Sequence, residues 1–169
     1  MERLVSEYSK KREKIQERLK EFRKLADSKE SGIFEELCFC LFTPQANALS
    51  CDKAVKELKS TGVLYKGAMS DIRKILKGKV RFQNNKANYC VLARRLFNDG
   101  SGISIKNRID PNDVFSTREW FVKNVKGLGY KEASHFLRNI GLGRDLAILD
   151  VHILRNLKRY GVIMAVPKT

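Results

Sequence analysis

Residues 125–131 read Val-Lys-Gly-Leu-Gly-Tyr-Lys, with helical periodicity on both sides. This stretch constrains the fold more than any other part of the chain. Two glycines one residue apart permit a tight turn and let backbone N–H groups approach an anion closely. Upstream, Trp120, Phe121 and Val125 form an apolar stripe that predicts a helix capped by Thr117. Downstream, a helix is expected over 130–140, ended by Gly141. The unit over 117–141 is therefore two helices folded back across a glycine turn, a ready seat for a phosphate. Lys131 falls at the start of the second helix, where the helix dipole disfavours a cation. Asp150 arrives one helix and one loop later, before a last helix expected over 151–160 and stopped by Gly161.

The rest of the chain carries the same period. Over 1–26, Leu4, Tyr8, Ile15, Leu19, Phe22 and Ala26 fall at helical spacing among Lys, Arg and Glu, which predicts an amphipathic helix with a solvated charged face. A break is expected from Asp27 to Gly32. Residues 33–42 are apolar on nearly every side except at Glu35 and Glu36, as in a buried central helix. Pro44 interrupts it. Further helices are expected over 45–58, ended by Thr61-Gly62, and over 71–76, between an Asp71 cap and Gly78. Residues 84–97 predict another, with Ala87, Val91, Leu92 and Leu96 facing inward; 98–112 is rich in turn signals. The sequence shows no useful strand alternation and no internal repeat. The predicted class is all-α, a single domain over 1–169 with two helical lobes sharing a cleft.

Charge narrows the partner. Lys and Arg number 34 against 19 Asp and Glu, a formal charge of +15. Such an excess points to nucleic acid first and to an anionic membrane surface second. No run is long and apolar enough to span a bilayer, and no secretory signal is evident. On charge alone, a merely soluble basic protein remains an alternative. Cys38, Cys40, Cys51 and Cys90 form neither a CxxC pair nor a Cys/His zinc spacing, so no metal site is expected. No cysteine cluster follows Asp150 to hold an iron–sulfur cluster. Cys38 and Cys40 read as small buried hydrophobes, and the expected compartment is a reducing cytoplasm.

Lys131 is the candidate nucleophile. A lysine amine attacks only when uncharged, and unmasking one near neutral pH takes ~4 kcal/mol. A helix N-terminus supplies up to ~2 kcal/mol, so desolvation and neighbouring cations must supply most of the rest. A phosphate-contacting lysine is an equal reading of the same residue. A carboxylate beside Lys131 would favour the ammonium form, so Asp150 is better suited to stabilise positive charge on a sugar as a base leaves. It could also orient the amine or accept its proton, and it could simply cap the helix at Val151. His152 could donate to a phosphate. His135, one turn beyond Lys131, reads as a satisfied helix histidine. The amides around Gly127 and Gly129 would position DNA without reading its sequence.

Taken together, Lys126-Gly127-Leu128-Gly129-Tyr130-Lys131-Glu132-Ala133-Ser134-His135-Phe136-Leu137-Arg138-Asn139 and Asp150-Val151-His152 resemble the helix-hairpin-helix DNA glycosylase superfamily. The fuller likeness is to its type 2 8-oxoguanine DNA glycosylase/AP lyase class. Glu36-Leu37-Cys38-Phe39-Cys40 and Val91-Leu92-Ala93-Arg94-Arg95 share in it. The resemblance implies a two-lobed α-helical fold with double-stranded DNA along its cleft and the target nucleotide turned out of the duplex. It implies base-excision repair in which Lys131 attacks C1′, expels oxidised guanine, forms a Schiff base and nicks the strand by β-elimination. Asp150 matches the family's acid, Phe82 an aromatic that stacks on the extruded base, and Gln45 a polar residue placed into the gap in the duplex. Without the resemblance, Phe82 reads as core and Gln45 as a helix-start cap. Related hairpins in some cases hold a monovalent cation through backbone carbonyls; no other cofactor is implied. The resemblance further implies a monomer acting on nucleoid DNA. Relatives continue past the motif at Val166-Pro167-Lys168-Thr169 with helices that help form the base pocket, and those helices are not expected within this chain. Two competing readings remain at this point: a glycosylase for another oxidised base, and a non-catalytic DNA-binding module.

Overall fold

Nine α-helices make up most of the regular structure among the described residues, 2–167, of the computed structural model. They are α1 (Glu2–Ala26), α2 (Glu30–Phe42), α3 (Ala48–Ser60), α4 (Val63–Lys66), α5 (Met69–Leu76), α6 (Gln83–Phe97), α7 (Val114–Asn124), α8 (Tyr130–Leu137) and α9 (Val151–Arg159). A 3-10 turn spans Lys106–Arg108, a π-type turn spans Arg138–Leu142, and an isolated bridge joins Asn98 to Ile103.

The apolar run in α2 makes it the hub. Ile33, Phe34, Leu37, Cys38, Cys40, Leu41 and Phe42 are all buried, and the helix packs on α3 and α6 as well as on α8. Helices α3 to α6 cluster together, while α7, α8 and the π-type turn form a second group with the end of α1. One continuous apolar core runs through both. Between them, Phe97 lies 5.8 Å from Phe121, and Phe121 lies 5.0 Å from Phe136. Such aromatic pairs add ~0.5–1.5 kcal/mol each beyond their burial, and here they bind α6, α7 and α8 into one block. Asn139 Nδ2 donates to the half-buried Glu36 carboxylate at 2.6 Å, which ties the π-type turn after α8 to α2.

Several boundaries differ from expectation, each for a local reason. The break after Asp27 is shorter than predicted, because α2 starts at Glu30 with Gly32 inside its first turn. Helix α3 starts at Ala48, where the Asn47 side chain accepts the N–H groups of Leu49 and Ser50 at 2.9 and 3.2 Å. Asp113 caps α7 by accepting the Ser116 N–H at 2.9 Å; Thr117 lies inside the helix and accepts the Asp110 N–H instead. Asp71 is at the third position of α5, where it accepts the Ala68 N–H at 3.1 Å. Leu92 and Leu96 point outward, while Cys90, Val91, Ala93 and Phe97 point in. Adjacent apolar pairs at 91–92 and 96–97 left the helix phase ambiguous, and the larger ring at Phe97 took the core. Short α4 carried no separate sequence signal.

The stripe on α1 is largely unpartnered by this core. Phe22 is buried, but Tyr8, Ile15 and Leu19 stay exposed, and the Leu4 side chain lies outside the described residues. Only the last turns of α1 reach the body of the molecule, where they rest on the π-type turn. There the Arg18 and Arg138 guanidiniums both lie over the Phe22 ring, at 4.7 and 5.1 Å. Among the described residues, no helix is long and apolar enough to cross a membrane.

Candidate active site

Two apolar plugs hold the glycine turn between α7 and α8. Val125 and Leu128 are buried, and the Leu128 N–H donates back to the Val125 carbonyl at 3.2 Å. Gly127 has φ +89°, and a Cβ there would run into the Tyr89 ring, so glycine is required on both grounds. Gly129 differs from expectation: its φ of −89° is open to any residue. Its missing side chain matters for space, since a Cβ would sit 3.2 Å from Glu132 Oε2. The first intrahelical bond of α8 runs from the Ala133 N–H to the Gly129 carbonyl at 2.8 Å. The amides of Tyr130, Lys131 and Glu132 precede it and face outward as an anion seat.

Beside them, residues 122–129 enclose an open depression of ≈ 410 Å³. Among the described residues, the carbonyls of Lys126, Gly127 and Leu128 accept no hydrogen bond. Three free carbonyls are a donor set suited to a monovalent cation. No group of three or more His, Cys, Asp or Glu residues suited to a metal ion occurs among the described residues.

Helix α8 turns Ala133, Ser134, Phe136 and Leu137 into the core, which leaves Lys131 at the surface. The Lys131 side chain is 45% exposed, so the protein alone does not supply the desolvation that a neutral amine needs. Its ion-pair partner is Glu132, with Oε1 at 3.5 Å from Nζ. Glu132 escaped the sequence reading because an acid in the first helical turn is ordinary dipole complementarity.

Asp150 caps α9, with Oδ1 accepting the Ile153 N–H at 2.8 Å. That bond, then His152 and the charge of Lys131, hold its carboxyl below the usual range. Among the described residues, Lys131 pairs with Glu132, and the Asp150 carboxylate is engaged by its own helix. His152 is exposed in the first turn of α9. His135 stands edge-on to Phe39 at 6.2 Å. Burial, reinforced by the charges of Arg138 and Lys131, lowers its pKa to about 4, so the ring is neutral at pH 7.

Gln45 and Phe82 share an unusual trait. Among the described residues, they are the non-glycine positions with positive φ, at 54° and 57°. Such backbone costs of order 1–3 kcal/mol per residue and collects at functional positions. Phe82 is 51% exposed with the Arg81 guanidinium 5.2 Å over its ring, so it is not core. Gln45 is exposed and precedes the real cap at Asn47, so it does not start α3. Lys86 also went unread: its side chain is buried between two segments far apart in sequence.

The sequence profile of the family described as 8-oxoguanine DNA glycosylase matches residues 15–169. A Fusobacterium nucleatum protein named 8-oxoguanine DNA glycosylase/AP lyase is 44% identical over 164 residues, covering 92% of this chain and 72% of its own length. The fold matches the crystal structure of the Thermotoga maritima 8-oxoguanine DNA glycosylase with a TM-score of 0.82 and 36% identity, over 99% of this chain and 79% of that one. It also matches the Methanocaldococcus jannaschii 8-oxoguanine glycosylase/lyase in complex with a 15mer DNA containing 8-oxoguanine. There the TM-score is 0.81 and the identity 34%, over 98% of this chain and 79% of that one. On the profile match, the 44% identity and the shared all-helical fold, the chain belongs to the 8-oxoguanine DNA glycosylase family.

Proposed function

We propose that this chain excises 8-oxoguanine from double-stranded DNA and then cleaves the strand, with Lys131 as nucleophile and Asp150 as its acidic partner. The amides at the start of α8 receive a backbone phosphate next to the lesion. The carbonyls of Lys126, Gly127 and Leu128 would hold a monovalent cation, whose charge draws the phosphate to the turn. His152 donates to a nearby phosphate. The target nucleotide leaves the stack, because C1′ is shielded inside the duplex. Phe82 stacks on the extruded base, and Gln45 fills the gap left behind.

Docking of the nucleotide displaces water from the Lys131 amine, which supplies the missing desolvation. Nζ then bonds to C1′ as the bond from C1′ to the base breaks, and the electron pair leaves with the base. Glu132, paired with Lys131, takes the amine's proton. The Asp150 carboxylate stabilises the positive charge that develops on the sugar. Opening of the sugar gives the Schiff base; loss of a C2′ proton then breaks the C3′–O bond. A basic chain and a single lesion nucleotide need no second subunit, and we place the protein on nucleoid DNA as a monomer.

The observation that supports this reading most directly is a solvent-accessible lysine in the first turn of α8, directly after the tight glycine turn and its free N-terminal amides. Borohydride should trap a covalent adduct on 8-oxoguanine duplex DNA, and Lys131→Gln should abolish it. An adduct that persists in that variant removes Lys131 from the nucleophile role. Trapping on oxidised-pyrimidine duplexes in preference to 8-oxoguanine would reassign the lesion.

A further inference from the structure

Lys86 is a buried charged side chain that the chemistry above does not use. It is 3% exposed, and its Nζ donates to the Phe42 carbonyl at 2.6 Å and to the Pro44 carbonyl at 2.8 Å. Phe42 is the last residue of α2, at the negative end of the helix dipole, and its carbonyl also accepts from Cys51 Sγ at 3.2 Å; Pro44 lies in the turn just beyond. A buried ammonium costs several kcal/mol in desolvation, and an apolar residue of equal size would fill the space without that cost. The donors are therefore what the site uses.

Both bonded carbonyls lie just before one functional candidate, and Lys86 itself lies one helical turn after the other. Pro44 immediately precedes Gln45, so the side chain of Lys86 holds the loop that carries Gln45. The backbone N–H of Lys86 donates to the Phe82 carbonyl at 3.0 Å, one turn into α6. One residue thus touches the backbone beside both positive-φ positions, Gln45 and Phe82. Strained backbone of this kind persists only where its surroundings over-determine it.

We propose that Lys86 is a positioning residue: its ammonium, seated on the Phe42 and Pro44 carbonyls, joins the Gln45 loop and the Phe82 helix start into one rigid unit that enters the DNA at a fixed spacing. The assignment rests on the roles proposed above for Gln45 and Phe82. Gap filling and base stacking must occur together for a nucleotide to stay extruded, and a rigid spacing between the two side chains makes them one event.

Lys86→Met keeps the stem and removes the donors. Two substrates separate coupling from scaffold damage. An 8-oxoguanine duplex needs both contacts; a single-stranded oligonucleotide with a preformed abasic site has neither a gap to fill nor a base to stack. In Lys86→Met, single-turnover excision from the duplex should fall about 10- to 100-fold. Borohydride trapping on the abasic single strand should stay within about twofold of the unsubstituted protein. Lys86→Arg, which retains donors, should recover part of the duplex activity. Equal losses on both substrates, or no loss on the duplex, overturn the proposal. A cycle of Gln45→Ala and Phe82→Ala tests the same coupling with Lys86 intact. Their effects on duplex excision should be non-additive, and simple additivity overturns the rigid unit. If the unsubstituted protein traps on neither substrate, the lysine chemistry itself fails, and this role falls with it; that result differs from any loss confined to the variants.

Discussion

The two groups that the proposed chemistry requires stand on helices with very different footing. Helix α8, which carries Lys131, buries Ala133, Ser134, Phe136 and Leu137 and joins the aromatic block through Phe121. Helix α9, which begins at Asp150, buries Leu154 alone, and its Val151 and Ile153 are 47% and 45% exposed. The amine is placed by the core of the molecule; the carboxylate is placed by a cap bond within its own helix. The position of Lys131 is therefore as stable as the whole fold, while that of Asp150 is a local equilibrium.

The largest expected effect tests that asymmetry directly. Phe121→Ala removes a fully buried ring in contact with Phe97, Trp120 and Phe136. It should cost about 3–5 kcal/mol of global stability in urea unfolding. Leu154→Ala should leave the global transition nearly unchanged and instead speed amide exchange over 151–159, because that helix opens on its own. Equal losses in the two variants would mean that α9 belongs to the core and that the contrast is false.

Asp150 comes next, because one side chain combines a charge and a cap. Asp150→Asn keeps an acceptor for the Ile153 N–H but removes the charge. Excision should fall about 10²–10³-fold with the melting temperature unchanged. Asp150→Ala removes both, and should add a loss of about 1 kcal/mol in the local stability of α9. An Asn variant that turns over like the unsubstituted protein would reduce Asp150 to a cap.

How much of this could be read in advance follows the same divide between local and distant. The hairpin, Lys131 and Asp150 were legible because their signals are local: glycines at a turn, a lysine at a helix start, an aspartate before a helix. The left-handed backbone at Gln45 and Phe82 was not, since neither is a residue type that seeks positive φ. Only the family resemblance drew attention to them. Lys86 was hidden for another reason. Its acceptors lie 44 and 42 positions away in sequence, and a lysine among Gln, Asn and Ala at a helix start looks solvated. The outward turn of Leu92 and Leu96 shows the limit of periodicity itself, where adjacent apolar residues offer two phases and tertiary packing chooses.

The smallest effect sharpens the comparison through pH. His135 lies on the firm side, and its pKa of about 4 is depressed from the usual 6.5. Between those values the unfolded chain binds a proton there that the folded protein refuses, so stability rises with pH through this window and is lost as pH falls from 6.5 towards 4. From pH 7 to pH 5 the loss should be about 1–2 kcal/mol, discounted because the ring keeps some solvent contact. Glu36 pulls the other way, since burial raises its carboxyl pKa despite the Asn139 hydrogen bond. Asp150 does not respond in this window, because its lowered pKa starts from 3.8. Comparing the protein with His135→Gln by urea unfolding at pH 7, 6 and 5 cancels the Glu36 contribution and isolates the imidazole. The two stability curves should converge as the pH falls, while exchange over 151–159 stays the same in both. Parallel curves would mean that His135 is solvated in the folded protein, and that the surface beside Lys131 is as open as the one beside Asp150.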